Sequence, residues 1–218
     1  VAAHTVKAGL DCFVFIPGGL EQAKIIGSAI YGPHIVAING TYDDVNRLCS
    51  EIADKYEWAF VNVNLRPYYA EGAKTHAFEI AEQLGWRLPQ HVVVGSAGGT
   101  ILPKLAKGFD ELRQLGLVES RPCKVYAAQA TGCAPIVAAL KKGTDVIDPV
   151  KPNTIASSIA IGNPADGYYV IKAVQETGGW GESVTDEEIL HGIKLLARTE
   201  GLFTEPAGGT EVAVAKKL

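Results

Sequence analysis

The 218-residue chain has no methionine, no CxxC pair, no apolar run long enough to cross a bilayer and no excess of basic charge. Each absence closes a class of function. A membrane-spanning helix needs about 20 consecutive apolar residues, and the apolar stretches here are far shorter; no signal-peptide pattern opens the chain either. Binding to a nucleic-acid backbone asks for clustered Lys and Arg. Here 20 Lys and Arg are scattered among 24 Asp and Glu, for a formal net charge of −4. Cys12, Cys49, Cys123 and Cys133 stand apart from one another and from any histidine pair. They read as reduced thiols packed as small hydrophobes in a cytoplasmic protein, not as a zinc site. His4, His34, His76, His91 and His191 do not cluster with acids or cysteines at ligand spacing, so no metal is expected. No G-x-S-x-G elbow is present, which leaves a serine hydrolase unsupported.

The ends carry their own signal. There is no initiator methionine, a helix opens at residue 1 (VAAHTVKAGL), and EVAVAKKL stops in mid-helix without a Gly or Pro terminator. The sequence reads as a piece of a longer chain.

What is present alternates between short β-branched apolar runs and longer amphipathic segments. The pattern predicts strands at 12–17, 34–39 and 58–63, with helices at 20–32 and 41–56, a βαβαβ unit with a parallel sheet. NLRPYYAEG (64–72) reads as a crossover loop, followed by a helix over 74–85. A second α/β run has strands at 91–94 and 123–129, and helices at 101–115, 134–143, 167–177 and 185–199. Residues 144–167 lack a regular pattern, and a loop of that length is usually functional. A Gly-rich turn is expected at 178–182. TDEEI (185–189) reads as a capping box with acids against the helix dipole, not as a metal site. The fold class is therefore α/β, two lobes with largely parallel sheets and helices on both faces: residues 1–63 in a smaller lobe, 64–218 in a larger one.

Three stretches could carry chemistry. In HVVVGSAGGT a strand ends in Gly95-Ser96-Ala97-Gly98-Gly99 and a helix follows. Such a junction offers unpaired N–H groups and the positive end of the dipole to an anion, and the Ser96 and Thr100 hydroxyls can add donors. It is neither a Walker A loop nor GxGxxG; the other reading is a tight packing turn of small residues. Asn64 and Arg66, in NVNLRPYY, bring an amide and a guanidinium fork that suit an anionic substrate, or they simply hold a loop together. Lys74 begins a helix, where a cation is unfavourable; a covalent role for it is set aside, because nothing apolar surrounds it to lower its pKa.

Taken in order, YYAEGAKTHAFEIAEQLGW, GSAGGT, AAQATGCAPIVAAL, TIASSIAIGNPADG, TDEEI and RTEGLFTEPAGG resemble the threonine synthases, pyridoxal-phosphate enzymes of the tryptophan-synthase-β fold type (fold type II). The likeness covers nearly the whole chain. It implies conversion of O-phospho-L-homoserine and water to L-threonine and phosphate, a phosphorylated amino acid as substrate and pyridoxal 5'-phosphate as cofactor. It also implies a homodimer for the full-length enzyme; the charge balance and the short apolar runs already speak against a nucleic-acid or membrane partner. It assigns Gly95, Ser96, Ala97, Gly98 and Gly99 to the cofactor phosphate through backbone N–H groups, with Ser96 and Gly99 where the family's loop carries asparagines. Residues 161–165 would line the cofactor pocket and Glu205-Pro206-Ala207-Gly208 would close it. Tyr69 stands where many members have a phosphate-binding Arg, and Arg66, with Asn64, is placed to take that substrate phosphate instead. The family's Schiff-base lysine segment of KDRG type is not among these residues, so no catalytic residue is assigned and 1–218 alone is expected to be inactive. Related activities stay open: β-replacement on O-phosphoserine, as in cysteate synthase, a threonine or serine dehydratase, or a non-catalytic phosphate-binding module.

Overall fold

The computed structural model describes residues 1–62, 67–119 and 121–218, with the backbone alone for Pro67 and Tyr68. The chain divides into two compact units, Val1–Arg66 and Pro67–Leu218.

In the first unit, helix α1 (Ala2–Lys7) precedes strand β1 (Phe13–Pro17), helix α2 (Gln22–Ala29), strand β2 (His34–Ile38) and helix α3 (Tyr42–Lys55). The two strands run parallel, with Phe13 opposite His34 and Pro17 opposite Ile38. Helix α3 begins in a capping box, Thr41 and Asp44 exchanging backbone and side-chain hydrogen bonds, and buries Val45 and Cys49. The third strand expected at 58–63 does not form over its described residues, 58–62. The backbone there folds back on itself: Trp58 N–H donates to Tyr56 C=O at 2.8 Å and Phe60 N–H to Trp58 C=O at 3.1 Å. Those donors are lost to any ladder, and the rings do the packing instead, Trp58 5.1 Å from Phe13 and Phe60 6.3 Å from Phe15.

The second unit opens with helix α4 (Pro67–Gly72), where a loop was expected; Pro at the first helical position has its φ preset for a helix and no N–H to waste. Helix α5 (Thr75–Gln83) follows, then strand β3 (His91–Gly95), helix α6 (Ile101–Gln114), strand β4 (Lys124–Ala130) and helix α7 (Pro135–Lys142). A 3-10 turn (Ser157–Ile159) interrupts the long irregular stretch before helix α8 (Gly167–Thr177), strand β5 (Gly181–Val184), helix α9 (Asp186–Glu200) and helix α10 (Pro206–Lys217). The sheet is parallel in the order β3-β4-β5. Strand β5 lies in the segment expected to be a Gly-rich turn. Gly178 does make a turn, closing α8 at φ +67°, whereas Gly179, just ahead of β5, reflects close approach: a side chain there would run into the Val125 carbonyl.

Side chains alternate across β4 as the pleat requires. Val125 and Ala127 join one core cluster with Leu102, Leu105, Phe109, Ile136, Val170 and Ile171 from α6, α7 and α8. Ala128 and Ala130 join another with Ile159, Val184, Ile189 and Val214, under α9 and α10. Helices thus cover both faces, which is why β4 reads as an almost unbroken apolar run. Leu102, Leu105, Phe109 and Leu112 recur at helical spacing on the buried stripe of α6. Packed in this way, α6 starts just beyond the carboxyl end of β3, beside the central strand β4.

Candidate functional site

Ser96–Thr100 connects β3 to α6, and the surrounding elements hold it at every side. Gly95 N–H donates to Glu211 Oε1 of α10 at 2.7 Å. Ser96 N–H donates to the Ala128 carbonyl at 2.9 Å, and the Ser96 carbonyl accepts from Gln129 Nε2 at 2.9 Å. Gln129 is fully buried, and its Oε1 accepts from Val137 N–H in the first turn of α7 at 3.0 Å. On the far side, Asp166 N–H donates to the Gly98 carbonyl at 2.9 Å, and Thr100 Oγ1 donates to Asp166 Oδ2 at 2.7 Å. Asp166 stands at the cap position of α8 but makes no side-chain cap there; its carboxylate is turned to Thr100.

These contacts leave a defined set of donors. The N–H groups of Gly95 and Ser96 are used inside the protein. The Ser96 hydroxyl donates back to the Val94 carbonyl at 3.2 Å, so with Thr100 bound to Asp166 both hydroxyls expected to face a ligand are already engaged. No hydrogen bond among the described residues occupies the N–H groups of Ala97, Gly98, Gly99 and Thr100. Thr100 makes no side-chain cap at α6, and Pro103, in its first turn, has no N–H to satisfy. The donors therefore concentrate at one bend, backed by the dipole of a 14-residue helix.

The two glycines at that bend do different work. Gly99 has φ +99°, and a Cβ there would stand 2.8 Å from the Asp166 carbonyl carbon. Only glycine fits that backbone. At Gly98 a Cβ would meet nothing within 4 Å, so the loop is open where its donors lie.

Charge on the described residues is arranged unevenly. Burial pushes the Glu211 carboxyl above the usual carboxylate range; the Gly95 hydrogen bond opposes the shift and the negative Glu205 adds to it. Glu205, just ahead of α10, accepts from Ser158 Oγ at 3.1 Å. Lys74 is 2.8 Å from Glu71 and 2.9 Å from Glu111, and Glu71 is also held by Lys104 and Lys107 at 2.8 and 2.9 Å. Those hydrogen bonds, first to Glu71 and then to Glu111, raise the Lys74 pKa. A lysine kept charged is no nucleophile. Burial raises Cys123 to about 11 and also raises Cys49, so neither offers a thiolate.

Of the residues singled out in the sequence, Gly95, Ser96, Ala97, Gly98 and Gly99 form this one bend. Asn64 and Arg66 lie outside the described residues. TDEEI is a cap: Thr185 N–H donates to Glu188 Oε2 at 2.8 Å and Glu188 N–H to Thr185 Oγ1 at 3.3 Å. Three residues that shape the bend, Gln129, Asp166 and Glu211, were not singled out, although QATGCAP and IGNPADG contain two of them and EPAGG ends two positions before the third.

Residues 1–218 match the family described as "Pyridoxal-phosphate dependent enzyme". The chain is 38% identical over 222 residues to the threonine synthase of Methanocaldococcus jannaschii, covering 100% of this chain and 54% of that protein. To the threonine synthase of Methanosarcina acetivorans it is 40% identical over 226 residues, again covering 100% and 54%. The chain thus spans about half the length of these curated relatives. Among solved structures it is similar to maize serine racemase, with a TM-score of 0.78 at 18% identity over 99% of this chain and 61% of that one. The processed threonine deaminase isoform 2 of Solanum lycopersicum gives 0.74 at 18% identity over 98% and 59%. At these identities the likeness is one of fold, that of the fold type II pyridoxal-phosphate enzymes.

Proposed function

The chain belongs to the pyridoxal-phosphate-dependent enzyme family, and from that premise we propose that the intact protein is a threonine synthase. It would convert O-phospho-L-homoserine and water to L-threonine and phosphate. The observation that carries the reading is the bend at Ala97–Thr100, four N–H donors that no hydrogen bond among the described residues occupies, at the start of α6 and open at Gly98.

That bend fits the cofactor's phosphate. Backbone donors at a helix N-terminus suit a dianion, and a loop with no side chain at Gly98 lets the phosphate approach the amides closely. We assign the phosphate to Ala97, Gly98, Gly99 and Thr100, with Gly95 and Ser96 fixing the loop's course through Glu211, Ala128 and Gln129. When bound, pyridoxal phosphate supplies an electron sink for chemistry at the carbons of an amino-acid substrate. The protein's part is orientation: a clamped loop sets the depth and direction at which the cofactor enters. Residues 64–218 would belong to the larger, cofactor-binding lobe and 1–63 to the smaller one. Asn64 and Arg66 are proposed for the substrate's phosphate, on the bidentate chemistry of the guanidinium. No KDRG-type lysine segment occurs within 1–218, so these residues by themselves bind and orient and do not turn substrate over. Homodimeric assembly and a cytoplasmic location belong to the same proposal; among the described residues no helix is long and apolar enough to cross a membrane.

One observation favours a second reading. The exposed Tyr69 stands where threonine synthases of this type commonly place an Arg, which relaxes the demand for phosphohomoserine and admits β-replacement on O-phosphoserine. The two are separated by assay of the intact protein with added pyridoxal phosphate. Phosphate release from phosphohomoserine with formation of threonine is the expected result. Release from phosphoserine only when sulfite is present would replace it with the second reading. Cofactor binding without turnover of either substrate would leave a phosphate-binding module.

A further inference from the structure

Resting on the assignment of an anion to Ala97–Thr100, we infer that Glu211 is a positioning residue for this loop: it anchors the amide of Gly95, the strand residue that leads into it, and, as a carboxylate, weakens the loop's hold on a dianionic phosphate. The two effects oppose each other, and substitutions separate them.

The anchor is visible in the geometry. Helix α10 packs along β3, β4 and β5 and sets Glu211 against Gly95. Its Oε1 accepts from Gly95 N–H at 2.7 Å, and its Cγ and Cδ would each lie 3.7 Å from a Cβ built on that glycine. Its Oε1 would lie 3.1 Å from the same Cβ, so a side chain at 95 would push the carboxylate aside by a few tenths of an ångström. Gly95 is the last residue of β3, and the ligand donors begin two residues later. Tethering its amide therefore fixes the direction in which the strand hands over to the bend.

The charge effect follows from proximity. With about 3.8 Å between successive Cα atoms, the donors of Ala97–Gly99 lie within roughly 8–15 Å of Gly95 along the chain. A unit negative charge at that range is felt by a bound dianion. Among the described residues no cation forms an ion pair with Glu211, and the charge that acts on it, Glu205, is of the same sign. Of the charged groups on the elements that pack against α10, Glu188 on α9 is bound to Lys217 and Glu182 on β5 to Lys141. Glu205, at the head of α10, adds a second negative charge. On the loop's far side Asp166 is bound to Thr100.

Glu211→Gln keeps an oxygen acceptor for Gly95 N–H and removes the charge. Its affinity for pyridoxal phosphate, and for inorganic phosphate as a competing probe, is expected to rise roughly three- to tenfold near neutral pH. The difference from the unaltered protein should vanish at acid pH, where Glu211 is itself neutral. Glu211→Ala removes charge and tether together and should bind several-fold more weakly than Glu211→Gln. Binding is read by the cofactor's absorbance and by 31P NMR, with no turnover required. A direct check on the tether is the Gly95 amide resonance, which should titrate with the carboxylate in the unaltered protein and stay still in Glu211→Gln. If the Gln variant matches the unaltered protein in affinity at every pH while both bind phosphate, the role of Glu211 is wrong and the loop assignment stands. If the unaltered protein binds neither pyridoxal phosphate nor phosphate, the loop assignment falls and this inference falls with it.

Discussion

The side-chain amide of Gln129 ties the carbonyl of Ser96 to the N–H of Val137, at 2.9 and 3.0 Å, with no solvent exposure. Both ends of the amide are used, so one side chain sets the loop after β3 and the start of α7 at a fixed separation. Gln129 lies on the face of β4 that also carries Val125 and Ala127, where an aliphatic residue would otherwise be expected.

Replacing Gln129 by Leu keeps the volume and removes both hydrogen bonds. It leaves a carbonyl and an N–H buried without partners, at about 1–3 kcal/mol each. Chemical denaturation should show a loss of roughly 2–6 kcal/mol, with weaker phosphate binding because the Ser96 peptide is then free to rotate. Unfolding at an unchanged denaturant concentration would show that the strut carries no load.

Gly98 and Gly99 separate binding from folding. Gly99→Ala must relieve contacts of 2.8 and 2.9 Å with the Asp166 carbonyl and 3.0 Å with Val170, at a backbone φ of +99°, and should cost about 2 kcal/mol or more of stability. Gly98→Ala meets no atom within 4 Å and should change stability by less than about 0.5 kcal/mol. Its methyl group nevertheless fills the space a phosphate needs, so cofactor affinity should fall at least tenfold. A Gly98→Ala protein that keeps full affinity would move the phosphate to another place.

The sequence made the bend legible because a strand-helix junction rich in small residues can be read locally. It did not reveal what holds the bend. Gln129, Asp166 and Glu211 lie 33, 66 and 116 positions from their partners, and contacts at that separation leave no periodic trace. Local chemistry also misled at Ser96 and Thr100: a hydroxyl beside a phosphate site reads as a ligand donor, yet both serve the protein's own backbone and side chains. Strand β5 was missed because Gly178, which turns the chain out of α8, and Gly179 and Gly181, which permit close approach, look alike in sequence. The strand expected at 58–63 failed for the opposite reason, an apolar run whose rings, and not its amides, find partners.

Glu71 gives a pH test with a definite sign. Hydrogen bonds from Lys104, Lys107 and Lys74 hold its carboxyl well below its ordinary value of 4.5. A carboxylate with a lowered folded pKa stabilises the fold fully above its unfolded pKa, and the contribution is lost as pH falls through the folded value. Denaturation midpoints of Glu71→Gln and the unaltered protein should therefore differ most above pH 4.5 and converge in stronger acid. Added salt should narrow the gap, because the cluster is partly solvent-exposed. A gap that widened on acidification would contradict the lysine clamp.

The Thr100–Asp166 pair joins the first residue before α6 to the residue before α8, 2.7 Å apart. Hydrogen bonds to a charged group are worth about 1.5–3 kcal/mol, and this one competes with a cap that Asp166 does not make. A double-mutant cycle isolates it: Thr100→Val, Asp166→Ala and the combination, each measured by denaturation. The single changes should each destabilise, and the double change should cost less than their sum by about 1–3 kcal/mol. Strict additivity would mean that the two side chains act independently. The free carboxylate of Asp166 in Thr100→Val has a second consequence. With the hydroxyl gone, its charge is unshielded beside the Gly98 carbonyl and the open donors, so phosphate affinity should fall in Thr100→Val and recover in the double variant. Recovery of affinity without recovery of stability would show that Asp166 must be held by Thr100 for the loop to accept an anion.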